Sequence, residues 1–310
     1  MKNNPFSLFD FFNYLFPGAF AFLCIVIFNQ YDPYMSFDKN FENFEKIITP
    51  LNKALWSYII VIVLISYPFG HLISYLSSLM VEKFLINLYG YPSDFLLGYK
   101  TNKKKKSKSV MIWSVIWRIY KINKKKKIKS VMIWSMIWSV ICSVFWRGII
   151  YLILPPLSIS SFIAWVTKFD GFILKQLDPK LIENIKIKCK DLESFLNIKK
   201  PTRKDFFEIL SHYEYEKHER HSVKLDNYVS LYGFLRGITL IFNFLFWGYL
   251  LVLIINWSSI MKMNLIYICI FLFFLTYLSF LGFVKFYRRY AYWVYKTLLI
   301  DTSMYQNRPK

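Results

Sequence analysis

The chain has 310 residues and a formal net charge of +21, and 55% of its residues are hydrophobic. The apolar residues occur in long runs between dense blocks of Lys and Arg, a distribution that excludes an ordinary soluble globular domain. So much positive charge on so apolar a chain indicates anionic partners, such as lipid headgroups, nucleotides or nucleic acid.

Four apolar runs are each long enough to cross about 30 Å of hydrocarbon as a helix. They predict membrane spans at residues 11–28, 55–76, 234–255 and 265–283. Pro17-Gly18 predicts a kink in the first span, and Pro68 with Gly70 predicts a hinge in the second, because proline removes a helical hydrogen bond. Arg236 is the one charged residue within these runs. It lies near the start of the third span, so its head group is expected to snorkel to the membrane interface.

The charges of the connecting segments orient these spans. The loop over residues 29–54 carries four acidic residues against three Lys, whereas the segments after the second and fourth spans are rich in Lys and Arg. The positive-inside rule therefore predicts that both termini and the long middle segment face the cytoplasm.

The predicted fold class is all-α, a multi-pass helical membrane protein with a small helical cytoplasmic segment. The chain is predicted to divide into four parts. They are an N-terminal transmembrane hairpin (1–99), a duplicated Lys- and Trp-rich membrane-associated segment (100–169), a cytoplasmic helical segment (170–230) and a C-terminal transmembrane hairpin with a basic tail (231–310).

The second part contains an internal repeat, in which residues 103–114 recur at 124–135 with one difference. Each copy is a Lys cluster, beginning at Lys103 or Lys124, followed by a Trp-bearing apolar helix. This composition is typical of an anchor at the membrane interface and favours anionic lipid headgroups over nucleic acid. The apolar stretch over 130–169 is predicted either to cross twice, hinged at its proline pair, or to remain interfacial or protein-buried without crossing.

The cytoplasmic segment has helical periodicity. Its apolar residues on one predicted face are Leu174, Leu177, Leu181, Ile185, Leu192 and Leu196. A further helix is predicted to start at Arg203 or Lys204. Glu214, His218 and His221 follow at i, i+4 and i+7, a face that would suit a transition metal. A solvated, salt-bridged helix explains the same pattern, and no metal site is predicted.

A polar stripe runs down one face of the second span. It comprises Tyr67, His71, Ser74 and Ser78, and Glu82 continues it at the cytoplasmic end. Such groups in a membrane helix face either a neighbouring helix or water, so the stripe is interpreted as helix packing through Gly70, Ser74 and Ser77 or as a pore-lining path. Asn243 in the third span is predicted to make an interhelical contact.

The end of the last span is strongly basic. Lys285, Arg288 and Arg289 are predicted to converge with Arg236 at the cytoplasmic face of the membrane and to bind an anion. No Gly-rich phosphate loop, nucleophile elbow or kinase motif set occurs, so neither an enzyme nor a cofactor is predicted. The four cysteines form no close pair and predict neither a disulfide framework nor a zinc site.

Four segments in this order carry a resemblance to a known family. They are the entry segment at 9–18, the stripe at 70–78 with Glu82, the approach to the third span at 227–236 and the exit at 287–290. The chain resembles four-span membrane proteins of bacterial anti-phage defence, in particular the membrane effector of the Hailong system. The resemblance implies a tetrameric ion channel in the bacterial inner membrane, gated by a nucleic-acid-like ligand that a partner nucleotidyltransferase makes.

The sequence therefore leads to a ligand-gated membrane effector with Tyr67, His71, Ser74 and Ser78 along the ion path. The predicted ligand-binding residues are Arg236, Lys285, Arg288, Arg289, Lys103 and Lys124. One alternative is a scaffold protein anchored to anionic lipid and without conductance. The other is a membrane-embedded metal-binding enzyme or transporter.

Overall fold

The structure is a computed structural model, and it describes residues 10–30, 42, 55–99, 148–166, 175–197, 203–217, 219–257 and 262–300. The regular secondary structure of these residues is helical throughout, which confirms the all-α prediction. The Lys103 and Lys124 clusters and His218 lie outside the described residues.

The helices follow one another along the chain with two short π-helical segments among them. In order they are π1 (Phe11–Leu15), α1 (Phe16–Gln30), α2 (Leu55–Ser77), π2 (Ser78–Glu82), α3 (Lys83–Leu88), α4 (Pro92–Leu96), α5 (Pro155–Val166), α6 (Pro179–Phe195), α7 (Arg203–Lys217), α8 (Glu219–Ile255) and α9 (Lys262–Ile300). Helix α7 begins at one of the two residues that the sequence predicted.

Within the described residues, four helical stretches are long and apolar enough to cross a membrane. They are Phe11–Asn29, Ile60–Leu96, Ser222–Ile255 and Met263–Ile300. On α9 the exposed side chains include Tyr267, Ile270, Phe271 and Phe274, each more than half exposed. An apolar face of this kind at helical spacing suits contact with lipid. The chain is therefore a membrane protein.

The last two helices are much longer than the spans that the sequence predicted. Helix α9 has 39 residues, about 58 Å at a rise of 1.5 Å per residue, nearly twice the hydrocarbon thickness. Helices α8 and α9 pack along one another, and a buried bond from Thr239 Oγ1 to Ser279 Oγ (3.1 Å) lies between them. The polar parts of both helices therefore continue the apolar parts without a break.

The first two spans touch through their backbones. A Cβ atom on Gly18 would lie 1.8 Å from the carbonyl oxygen of Ser66, and one on Gly70 would lie 1.8 Å from that of Tyr14. The two glycines thus stand on opposite helices and each admits the other backbone, as small residues do in membrane helix pairs. This contact agrees with the packing interpretation of Gly70.

The proline pair ends one helical stretch and begins α5. Residues 148–153 are helical, the chain leaves helical geometry at Leu154, and α5 starts at Pro155. Pro155 has no N–H to donate to the carbonyl of Tyr151, and the Ser158 hydroxyl donates to that carbonyl instead (2.8 Å). With 12 residues, α5 alone spans about 18 Å and is too short to cross the hydrocarbon.

The chain around this break is buried in the membrane bundle. Leu154 and Leu157 are fully buried and pack in one cluster with Phe280 and Phe283 of α9. The Ile153 carbonyl accepts hydrogen bonds from Asn243 Nδ2 (3.0 Å) and Trp247 Nε1 (2.7 Å) of α8. The interhelical contact predicted for Asn243 is therefore confirmed. The part of 130–169 that the structure describes is protein-buried at this break, and the number of crossings in that stretch stays a prediction.

The polar helices α6 and α7 pack against the second half of α9. Asp178 caps α6 by accepting from the Lys180 N–H (2.9 Å), with Pro179 at the first helical position. The predicted apolar face packs in one cluster with Val294, Tyr295 and Leu298 of α9. Its members in that cluster are Leu177, Leu181, Ile185, Leu192 and Leu196, whereas Leu174 lies outside the described residues.

Candidate functional site

Arg236 is the centre of a polar network between α8 and the end of α2. Its guanidinium forms an ion pair with Glu82, and its Nε donates to Ser77 Oγ (3.2 Å). Its Nη2 reaches the hydroxyl of Ser74 (3.4 Å), and Ser78 Oγ donates to Glu82 Oε2 (3.2 Å). The Arg236 and Glu82 side chains are 12% and 20% exposed, so the ion pair is largely buried within the protein.

The π-helical turn π2 carries Glu82 at its end. A π-helical turn widens the helix by one residue and shifts the face that the following side chains present. Ser77 and Ser78 therefore stand beside Glu82 at one level of the bundle, where each makes a bond within the network. The last residues of the predicted polar stripe, Ser74 and Ser78, and the adjoining Glu82 therefore belong to this network.

Arg236 has a partner that the sequence did not predict. It was expected to snorkel to the membrane interface and to join Lys285, Arg288 and Arg289 around an anion. The structure does not bring it together with those three residues, because its charge is matched by Glu82, and its position relative to the membrane interface stays a prediction. Pairing with a carboxylate one helix away satisfies the guanidinium donors where the apolar surroundings cannot.

The upper half of the stripe contacts the first span. The His71 ring stacks on Tyr14 with centroids 3.7 Å apart, and Tyr67 meets His71 edge to face at 4.7 Å. Tyr14 and Tyr67 also lie edge to face, at 6.2 Å. The stripe therefore divides into an aromatic half against the first span and a hydroxyl half around Arg236, and an ion path along it stays a prediction.

Three of the predicted anion-binding residues line one cavity, called here the basic cavity. Lys285, Arg288 and Arg289 follow at i, i+3 and i+4 on α9 and therefore share a face. They surround a cavity of about 310 Å³ with Leu96, Leu177, Val284 and Tyr292. The Arg288 guanidinium also donates to the Lys175 carbonyl, and the Arg289 guanidinium lies 5.8 Å from the Phe286 ring centre. The cavity combines an apolar floor with three cations.

The opposite face of α9 lines a second cavity, called here the tyrosine cavity, which the sequence reasoning missed. It has a volume of about 290 Å³. Its polar lining comes from Glu82, Tyr91, Ser93, Glu208, Ser211, Tyr232, Tyr287 and Tyr290. The spacing of Tyr287, Tyr290 and Ala291 repeats that of the basic face half a turn away, and this signal is visible in the sequence. The contributions from π2, α3, α4, α7 and α8 are not visible there, because only packing brings them to the cavity.

The described residues contain no group of three or more His, Cys, Asp and Glu side chains arranged to hold a metal ion. Glu214 is buried in α7. His218 and the side chain of His221 lie outside the described residues, so the metal-binding alternative stays a prediction.

The fold thus defines a multi-pass α-helical membrane protein, with two cavities of opposite chemistry on the two faces of its last helix. Comparison of the chain with protein-family models, with curated proteins and with solved structures gives no match.

Proposed function

We propose that this protein is a membrane effector of bacterial anti-phage immunity, an oligomeric ion channel gated by a nucleotide or oligonucleotide. The proposal places it in the bacterial inner membrane with both termini in the cytoplasm, and a partner nucleotidyltransferase supplies the ligand. The observation that carries it is the basic cavity, in which Lys285, Arg288 and Arg289 surround an apolar floor. The protein acts by binding and conducting, and not as an enzyme.

The basic cavity suits a ligand that has both a phosphate and a flat apolar part. Arg288 and Arg289 present planar guanidinium groups that bind phosphate oxygens in pairs, and Lys285 adds a third charge. Leu96 and Tyr292 offer apolar surface on which a base would lie. These features support a nucleotide more than a bare inorganic anion.

The length of α9 supports gating of the membrane part by ligand binding. The same helix that carries the three cations forms the fourth candidate span without interruption. A ligand that binds one arrangement of the polar helices better than another shifts the population of that arrangement. Through α9 such a shift is transmitted to the membrane part, where the network of Arg236 and Glu82 joins the second and third spans.

The test is ion flux through proteoliposomes containing the full chain, with short DNA or RNA oligonucleotides added on either side. The double variant Lys285→Gln/Arg289→Gln should need about tenfold more ligand for the same change in flux, because both side chains are exposed and bind the ligand directly. Lys190→Gln, an exposed charge on α6 outside the cavity, is the control and should respond as the wild type does. Absence of flux with and without ligand would overturn the proposal.

A scaffold protein without conductance is the second candidate, and one observation favours it. Both halves of the polar stripe contact neighbouring helices within one chain, as static helix packing would require. A membrane-potential dye in cells expressing the chain, alone and with its neighbouring gene, separates the two. Depolarisation that the neighbour triggers or relieves supports the channel, and a steady potential in both cases, including during phage challenge, supports the scaffold.

A further inference from the structure

The exposed apolar side chains of α9 and its exposed cations lie along one side of the helix, called here the outer face. The apolar part of the outer face consists of side chains between 47% and 62% exposed, which are Tyr267, Ile270, Phe271, Phe274 and Leu278. Lys285 and Arg289 are also exposed, and they follow Leu278 after about two and about three helical turns. Helix α9 is continuous over this stretch and contains no proline, so the cations continue the line of the apolar side chains.

The two cations are expected at the level of phospholipid headgroups. Lys285 lies about 33 Å along the helix from Met263, where the fourth candidate span begins, and this length matches about 30 Å of hydrocarbon. Arg289 lies about 6 Å further on, and the headgroup layer on each side of the hydrocarbon is about 5–7 Å thick. A phospholipid with an acyl chain along the apolar part would therefore bring its phosphate next to both side chains.

Lys285 and Arg289 are available to an anion at this level. Within the described residues neither of them forms an ion pair, whereas the neighbouring Arg288 guanidinium donates to the Lys175 carbonyl. The Arg289 guanidinium lies 5.8 Å from the Phe286 ring centre, a contact that favours one orientation of the side chain. A guanidinium beside an ammonium group binds phosphate oxygens through paired hydrogen bonds and an added charge.

The basic cavity adds apolar surface beside these two cations. Leu96, Leu177 and Val284 line it next to Lys285 and Arg289. An amphiphile can therefore contact apolar side chains and cations at the same place. The cations favour a headgroup with net negative charge, because the ammonium group of a zwitterionic headgroup offsets the charge of its own phosphate.

We propose that an anionic phospholipid binds along the outer face of α9, with an acyl chain on Phe271, Phe274 and Leu278 and its phosphate at Lys285 and Arg289. Lipid binding does not depend on the proposed channel function. The same two cations line the proposed nucleotide site, so lipid and nucleotide exclude one another there, and this exclusion rests on the proposed function.

The first test is native mass spectrometry of the purified full chain in a neutral detergent, titrated with phosphatidylglycerol or phosphatidylcholine that has the same acyl chains. The two lipids differ only in the headgroup, so phosphatidylglycerol should bind about tenfold more tightly at its tightest site. Equal affinities would overturn the proposal, because the outer face would then contact lipid, or a second copy of the chain, without regard to charge.

The second test locates the site with matched variants. Lys285→Gln/Arg289→Gln should weaken the tightest phosphatidylglycerol site about tenfold, and Lys285→Arg/Arg289→Lys, which keeps both charges, should stay within about twofold of the wild type. Lys190→Gln, an exposed charge on α6 outside the cavity, should leave the affinity unchanged. Both double variants should fold, since the two side chains are exposed. Undiminished binding by Lys285→Gln/Arg289→Gln would assign the lipid to other cations and refute the proposal.

The acyl chain is tested with glycerophosphoglycerol, the same headgroup without acyl chains. It cannot contact the apolar part of the outer face, so at least about 100-fold more of it should be needed to displace phosphatidylglycerol. Displacement at equal concentration would show a site for a free phosphate and would refute a lipid site.

The exclusion is tested by adding a short DNA oligonucleotide to the lipid-bound chain. Each bound oligonucleotide should remove a tightly bound phosphatidylglycerol from the mass spectrum. Oligonucleotide bound without loss of lipid would overturn the shared use of Lys285 and Arg289. Absence of oligonucleotide binding would count against the proposed function alone, because the lipid titrations contain no nucleotide.

Discussion

The second span is joined to its neighbours in two different ways along its length. At Gly70, the missing side chain lets the backbone of Tyr14 approach closely, so this contact depends on shape, that is, on close backbone packing. Further along the span, Glu82 pairs with Arg236 beside the hydroxyl groups of Ser77 and Ser78, so this contact depends on charge. Without a hydrophobic driving force between helices in lipid, close packing and polar contacts are the available means of association. One helix here uses both, at different depths.

A substitution at the Gly70 contact should lower the stability of the protein more than one at the Glu82–Arg236 contact. In Gly70→Ala the new methyl group would meet the Tyr14 carbonyl oxygen at 1.8 Å, and a backbone atom has no rotamer through which to move away. We expect a loss of about 3 kcal/mol in the free energy of unfolding in detergent. Gly148→Ala is the control, because nothing lies within 4 Å of that position. A Gly70→Ala variant as stable as Gly148→Ala would show that the two spans do not touch there.

Glu82→Gln or Arg236→Gln should lower the free energy of unfolding by about 2 kcal/mol, because either change leaves one largely buried charge without its partner. The figure is below that of a fully buried pair because both side chains are partly exposed. Combining the two changes removes both charges, so the double variant should be more stable than the sum of the single losses implies. Additive losses in thermal unfolding would mean that the two side chains act independently.

Gly233 allows a comparison with Gly70, because an added methyl group would meet a side chain at Gly233 and backbone atoms at Gly70. A Cβ atom on Gly233 would lie 1.6 Å from Oδ1 of Asn13, a side-chain atom that can rotate away. Gly233→Ala should therefore cost about 1 kcal/mol, well below Gly70→Ala, with part of that cost from the displaced and buried Asn13 amide. Equal losses of stability in Gly233→Ala and Gly70→Ala would show that the Asn13 side chain does not move aside more easily than the Tyr14 backbone.

The smallest effect is expected far from both contacts, at Cys189 in α6. Burial, together with the nearby Glu193 carboxylate, raises the pKa of the Cys189 thiol to about 12. Almost no thiolate is present at pH 8, so maleimide labelling should be slow there and should rise with pH toward that pKa. The measurement uses a background in which the other three cysteines are replaced.

Labelling of Cys189 also reports how far a disturbance spreads. Glu82→Gln should leave the rate unchanged if the charge contact loosens the bundle locally. A faster rate would mean that the polar helices separate from α9, against which Cys189 packs. The Gly70→Ala variant measured in parallel shows whether the shape contact behaves in the same way.

The basic face of α9 was predictable because it is periodic. Lys285, Arg288 and Arg289 share a face of any helix that contains them, whatever surrounds it. The tyrosine cavity was not predictable to the same degree. Tyr287 and Tyr290 have the required spacing, but Glu208 and Tyr232 come from other helices, and their meeting depends on packing.

The sequence by itself determined the helical class, the four candidate spans and the apolar face of α6, because each depends on hydrophobicity and spacing within one stretch of chain. Only the tertiary structure decided the partner of Arg236, the close approach of Gly70 to Tyr14 and the acceptor for Asn243. These contacts join residues far apart in sequence, and the depth and rotation of each helix select them. In the membrane interior a polar side chain takes the partner that this arrangement offers, because lipid offers none.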